Sequence, residues 1–185
     1  MSRPELTGSA SIFYNNREAR KYDSSSRMVG IQREITNRAI ELLKLPKDGK
    51  NKKRFLLDIG CGSGLSGQVL SEHGHVWMGC DVSRDMLNVA NERLEAMDDD
   101  SSSVEEEDEN AAKNSGDLMH HDMGTGLPFR PGTFDGCISI SALQWLCYSN
   151  SSSQVPTHRL MRFFSSLYQV LRRGARAVLQ FYPGE

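Results

Sequence analysis

No apolar run in this chain of 185 residues approaches the ~18 residues needed to cross a bilayer, so no membrane-spanning helix is expected. Met1 to Glu5 lack the apolar core of a secretory signal. The chain also lacks any C-x-x-C pair. Its four cysteines, Cys61, Cys80, Cys137 and Cys147, stand apart in or beside apolar runs, which reads as reduced thiols of the cytosol or nucleus. There is no Cys/His cluster at metal-ligand spacing either. His120 and His121 are consecutive on an expected strand and would point to opposite faces, so no metal site is expected there. With a formal charge of only −2, bulk charge does not announce a nucleic-acid partner.

Length and a 38% apolar content suit a single domain with a real core. Charge is unevenly spread: Lys47 to Arg54 is basic and Asp98 to Glu109 strongly acidic. The basic run reads as a solvated linker, with contact to RNA phosphate the less common alternative. Residues 1–28 are polar and expected to be irregular. Apolar spacing then predicts a helix from about Val29 to Leu45, stopped by Pro46. Strands are expected at Phe55–Ile59, Val76–Asp81, Asp117–Asp122, Asp135–Ser141 and Ala177–Tyr182. Helices are expected at Leu65–His73, Arg84–Met97 with Ser83 as cap, and Thr157–Arg172 ended by Gly174. Residues 98–116, acid, Ser and Asn almost throughout, are expected to loop out as a disordered insert. Strands that are continuous apolar runs, alternating with helices, predict an α/β fold with a doubly wound, mostly parallel sheet. Residues 1–54 then form an N-terminal lid and helix, and residues 55–185 a ligand-binding domain.

Right-handed crossovers would bring Asp58, Asp81, Asp122 and Ser139 or Ser141 to one edge of that sheet, where such folds bind ligands. The segment Phe55-Leu-Leu-Asp-Ile-Gly-Cys-Gly-Ser-Gly64 is the strongest sign. A buried strand empties into alternating glycines and a helix start, which lets backbone approach a nucleotide-like ligand. Gly62, Gly64 and Gly67 spell a dinucleotide fingerprint, but that string alone is weak. Carboxylates at three strand ends also disfavour a pyrophosphate, since like charges ~6 Å apart repel by ~3 kcal/mol. An ammonium, a sulfonium and ribose hydroxyls would be better received, which points to S-adenosylmethionine. Gly60 to Gly64, with Cys61, would lie against its amino-acid and ribose portion, and Asp81 would accept from the ribose hydroxyls. Asp122 would accept from the adenine amine, with Met123 over the ring. Asp58 would orient the loop or face the ammonium. Val82, Met86 and Ser139 complete the cofactor-binding set, although Met86 and Met97 also read as core filler. As capping or turn residues, each acid taken singly has an equally good structural explanation.

These residues, with Asp122…Leu127-Pro-Phe…Gly132-Thr-Phe-Asp135, resemble the motifs of class I S-adenosylmethionine-dependent methyltransferases. The strings Ile12-Phe-Tyr-Asn15, Lys21-Tyr22, Ser26-Arg-Met28, Gly60 to Gly67, Asp122-Met-Gly124, Ile138 to Cys147 and Val178 to Pro183 are similar to the eukaryotic 18S ribosomal RNA guanine-N7 methyltransferases. That resemblance implies a Rossmann-like enzyme of small-subunit ribosome biogenesis, acting in the nucleus and nucleolus, with the cytoplasm as a further location. It implies 18S rRNA within a pre-40S particle as substrate. It also implies a heterodimer with a small zinc-binding activator protein, received at the edge near Asp117 to His121. The family continues past Pro183 with two more strands and a basic tail, so a truncated form lacking them is expected. The acidic insert would point away from RNA.

Guanine N7 carries a lone pair and no proton at neutral pH, so no general base is named and positioning does the work. The target base must be unpaired, because the major groove of A-form RNA is too narrow to enter. Trp145 and Tyr182 are substrate-side candidates for stacking, with a core or lid role the commoner alternative for Trp145. Tyr14, Tyr22 and Arg27 are candidates for a lid over the cofactor, Arg27 meeting its carboxylate, or else packing and surface residues. Three other readings stay open: a small-molecule methyltransferase, a nicotinamide-dependent oxidoreductase, and a non-catalytic truncated form that binds the activator.

Overall fold

The computed structural model describes residues 8–46, 52–101, 115–147 and 154–182. Five parallel strands, β1 (Phe55–Ile59), β2 (Val76–Asp81), β3 (Gly116–His120), β4 (Phe134–Ile140) and β5 (Leu171–Gln180), lie in the order β3-β2-β1-β4-β5. The sheet runs outward from β1 in both directions, so the turns after β1 and β4 flank a topological switch point.

Both faces of the sheet are covered, as the unbroken apolar strands require. On one face α3 (Ser26–Leu43), α4 (Leu65–Glu72) and α5 (Arg84–Ser101) pack Ala39, Leu43, Leu70 and Leu94 against Leu56, Trp77, Ile138 and Ile140. On the other, α6 (Pro156–Val170) packs Phe163, Leu167 and Val170 against Leu57, Ile59, Phe134 and Cys137. Alternation along β1, and along β4 beyond the irregularity between Phe134 and Gly136, divides the two clusters. Trp77 is 1% exposed, and its indole N–H donates to Ser71 Oγ at 2.9 Å. A Cβ on Gly67 would sit 2.2 Å from its ring, so the third glycine of the fingerprint string is a helix-to-strand packing residue.

Three expectations are corrected. Residues 8–28 are helical rather than irregular: α1 (Ala10–Phe13), α2 (Asn16–Ser24) and the first turn of α3 lie here. Asn15 Oδ1 accepts from Glu18 N–H at 3.2 Å and Ser25 Oγ from Met28 N–H at 3.4 Å, capping α2 and α3. The polar composition hid these helices because their apolar contact is small: the fully buried Ala19 meets Met86 and Val89 of α5, with Tyr14 and Tyr22 partly buried beside it. Secondly, α5 runs on to Ser101 and β3 starts at Gly116, so both ends of the insert expected at 98–116 are regular structure; the rest of that expectation, residues 102–114, lies outside the described residues. Thirdly, α6 ends at Val170 and β5 starts at once. Gly174 (φ 82°) does not end the helix but sits in a register shift of β5 against β4.

Candidate functional site

At the carboxyl edge of the sheet lies a cavity of about 210 Å³. Its floor is the turn after β1. Gly60 has φ 71°, and a Cβ there would lie 2.2 Å from the Ala142 Cβ, so no other residue fits. Gly60 N–H donates to Cys80 O at 2.7 Å, tying the turn to β2. Cys61 and Gly62 continue the floor, and Val82 and Met86 form one wall.

Asp81, ending β2, lies in the cavity. Its Oδ2 accepts from Gly62 N–H at 3.0 Å and its Oδ1 from Ser83 N–H at 2.8 Å. Those bonds use two of the roughly four lone-pair positions of a carboxylate, leaving capacity for a vicinal diol. Burial raises the Asp81 pKa, opposed by the backbone N–H groups of Ser83, Gly62 and Val82. Ser83 caps α5 through a bond from Met86 N–H, as its position suggests, and donates its own hydroxyl to Tyr14 O.

Asp122 and Met123 line the opposite side. Asp122 Oδ1 accepts from Gly124 N–H at 2.9 Å, and Arg159 Nη2 donates to both carboxylate oxygens, at 2.7 and 2.9 Å. The cavity therefore holds a cation beside this acid, and the expectation of three uncompensated carboxylates is corrected. Asp58 corrects it further, because it does not line the cavity. It points from β1 to the α4 side, where Ser66 Oγ donates to its Oδ2 at 2.6 Å. Burial, with a smaller contribution from the Asp81 charge, pushes its pKa up to about 7. The repulsion argument against a pyrophosphate is weaker than three strand-end acids suggested.

Gly64 and Ser139 also stand behind the cavity. Ser139 is fully buried with its hydroxyl unpartnered among the described residues. Ser141, just past the end of β4, is the serine that reaches the cavity; the chain turns there through φ 58° and its Oγ donates to Gln180 Oε1 at 2.8 Å. Buried thiols surround the floor. Burial pushes Cys80 up to about 12 and holds Cys61 and Cys137 well above the ordinary thiol value, so they are protonated packing groups.

The N-terminal helices close the cavity from above. Ser9, Ser11, Tyr14 and Tyr22 line it, and Tyr22 accepts a hydrogen bond from Gln32 Nε2 at 2.7 Å. Burial raises the Tyr22 pKa to about 12, so its phenol is neutral. Trp145 lines the mouth, with ring centroids 5.8 Å from Tyr14 and 6.1 Å from Phe13. Arg27 and Tyr182 do not line it; Tyr182 is 53% exposed. His120 and His121 part as expected, one to Val82 O and the other to Gly126 O. Sequence reasoning missed Arg159, Gln32 and the residues before Tyr14. The one available signal was that α6 begins at the carboxyl edge of the sheet.

Residues 57–179 match the family described as methyltransferase domain. The chain belongs to that family. It is 53% identical over 181 residues to an 18S rRNA (guanine-N(7))-methyltransferase of Mus musculus, covering 98% of this chain and 57% of that protein. It is 55% identical to one of Arabidopsis thaliana, over 98% of this chain and 56% of that one, and 48% identical to an 18S rRNA (guanine(1575)-N(7))-methyltransferase of Saccharomyces cerevisiae, over 99% and 58%. The chain thus spans a little over half the length of these relatives. Among solved structures, a SAM-dependent methyltransferase of Aquifex aeolicus superposes with a TM-score of 0.61 at 16% identity, over 90% of this chain and 72% of that one. A Haemonchus contortus phosphoethanolamine N-methyltransferase in complex with S-adenosylhomocysteine does so with 0.60 at 20%, over 90% and 33%. At these identities the likeness is one of fold.

Proposed function

We propose that this chain is the donor-binding part of an enzyme that transfers a methyl group from S-adenosyl-L-methionine to N7 of a guanine in 18S ribosomal RNA during small-subunit assembly. The observation that carries this reading is the 48 to 55% identity, over 98% or more of the chain, to proteins of that name from a mammal, a plant and a yeast. The cavity supports the donor. A glycine floor presents backbone, Asp81 keeps acceptor positions for a diol, and Val82, Met86 and Met123 offer apolar surface. Bound there, S-adenosylmethionine supplies an electrophilic methyl group on a sulfonium.

The chain's own residues then bind and orient. Asp81 takes the ribose hydroxyls. Asp122, held by Arg159 and Gly124, keeps a carboxylate oxygen for the adenine amine. The N-terminal helices exclude water from above. Guanine N7 offers a lone pair without a proton to remove, so alignment of the two reactants supplies the rate, and effective molarities of ~10⁵ M or more are reachable that way. Trp145 at the mouth offers a stacking face for an unpaired base, with Tyr182 further out.

Among the described residues β3 is the outermost strand on its side of the sheet, which suits a small zinc-binding activator protein that adds a strand there. The nucleus and nucleolus, with the cytoplasm as a further location, are where a pre-40S substrate would be met. The test is co-expression of the chain with the activator, then incubation with pre-40S particles and labelled donor. Label at guanine N7 of 18S rRNA is expected. Label on small metabolites alone, or complex formation without transfer, would replace this reading with one of its competitors.

A further inference from the structure

We propose that Arg93 is a positioning residue that latches the N-terminal helices to the glycine loop, so that ligand retention depends on the Asp23–Arg93 ion pair. The proposal rests on the reading of the cavity as the methyl-donor site. Arg93 does not line that cavity. It stands on α5 behind the cavity, and each of its three nitrogens bonds a different element. Nη2 donates to Asp23 Oδ1 on α2 at 2.5 Å, Nε to Ser63 O in the glycine loop at 3.1 Å, and Nη1 to Gln68 Oε1 on α4 at 2.7 Å.

The chain neighbours of these partners form the cavity. Tyr22, next to Asp23, is part of the upper wall, and Gly62, next to Ser63, donates its N–H to Asp81. One guanidinium therefore sets the height of the lid and the position of the loop that the lid closes on. Only a planar fork can serve three acceptors in fixed directions; a lysine ammonium offers a single centre. The pair is partly shielded, with side chains 19% and 27% exposed, so salt screens it less than an open one.

A second ion pair crosses the same α2–α5 contact and provides a control. Arg20–Glu92 is 55% exposed on both sides and touches neither loop nor cavity wall. A pair so exposed contributes little. The two pairs thus separate a latch from general adhesion of α2.

The experiment uses the full chain and S-adenosylhomocysteine as probe, with tryptophan fluorescence as the signal, Trp145 reporting the cavity mouth against a background from the buried Trp77. Asp23→Asn is expected to speed dissociation about tenfold, the loss of roughly one charge-assisted bond, with a smaller change in association. Arg93→Lys, which gives up the fork to Ser63 and Gln68 as well, should speed dissociation at least as much, and the double variant should be no more than about twofold worse than Arg93→Lys, because Asp23→Asn removes a bond the lysine has already lost. Glu92→Gln should stay within about twofold of the parent. In the ligand-free protein, protease should cut the α1–α2 segment faster in Asp23→Asn than in Glu92→Gln. Equal dissociation rates and equal cutting in those two variants would overturn the latch. A parent chain that does not bind the probe, yet shows the difference in cutting, would remove the donor reading and keep the latch.

Discussion

Ser66 Oγ donates to Asp58 Oδ2 at 2.6 Å, while Asp58 Oδ1, also buried, has no partner among the described residues. The end of β1 is thereby tied to the first turn of α4 through a carboxyl group that solvent does not reach. Burial raises its pKa to about 7, whereas an unfolded chain titrates near ~4. Between those values the folded protein holds a proton that the unfolded chain has released. The contribution of Asp58 to stability is therefore fully present below ~4, falls by up to ~1.4 kcal/mol per pH unit through the window, and is flat above it. Asp58→Asn cannot ionise. Measured by denaturant in the ligand-free protein, its stability relative to the parent should rise from pH 5 to pH 7 and then level off. Parallel curves would show that Asp58 does not titrate there.

Asp81 is expected to matter for ligand affinity more than any other cavity side chain. Its carboxylate serves the Gly62 and Ser83 N–H groups and still has acceptor capacity turned to the cavity. Asp81→Asn leaves one acceptor oxygen where the carboxylate has two, and removes the charge that strengthens the bonds donated by the diol hydroxyls. S-adenosylhomocysteine affinity should drop about a hundredfold by calorimetry, the equivalent of ~2.7 kcal/mol. Thermal unfolding without ligand separates this loss from a fold defect. An unchanged affinity would remove the ribose assignment.

The turn after β1 was legible because two local signals coincide there: a run of buried apolar residues, and glycines where the chain must turn through positive φ. Asp81 and Asp122 were legible as strand-end residues, since topology alone brings them to one edge. The direction of Asp58 was not, because only its hydrogen bond to Ser66 reveals that it faces α4. Ser139 and Ser141 both fall near the end of β4 and share a face by strand parity, so sequence could not choose between them; Ser141 is the one that lines the cavity, where the chain leaves the strand at positive φ. Arg159 could not be paired with Asp122 from a separation of 37 residues. The polar helices α1 and α2 are held by α5 rather than by propensity, so composition was silent about them.

The Arg159–Asp122 pair is partly buried, at 17% and 29% side-chain exposure. Removing the cation leaves a carboxylate with less compensation than its position demands. Arg159→Ala should cost about 1–3 kcal/mol in denaturant unfolding. The double variant Arg159→Ala/Asp122→Asn should recover part of that loss. A cycle showing simple additivity would mean that the pair is not coupled in solution.

Gly67 and Trp77 supply a test of the fold that does not depend on any ligand. A Cβ at Gly67 would lie 2.2 Å from two atoms of the indole, and the ring is buried with its N–H bonded to Ser71, so neither it nor α4 has room to give. Helix propensity alone favours alanine over glycine by about 1 kcal/mol. Overpacking in a tight core costs typically ~1–3 kcal/mol and should exceed that gain here. Gly67→Ala should therefore destabilise the protein in spite of its better propensity, and shift the emission of Trp77. Pairing it with Trp77→Phe, which removes the atoms in the way, should return part of the lost stability. A stabilised Gly67→Ala single variant would mean that α4 stands further from β2 than this packing describes.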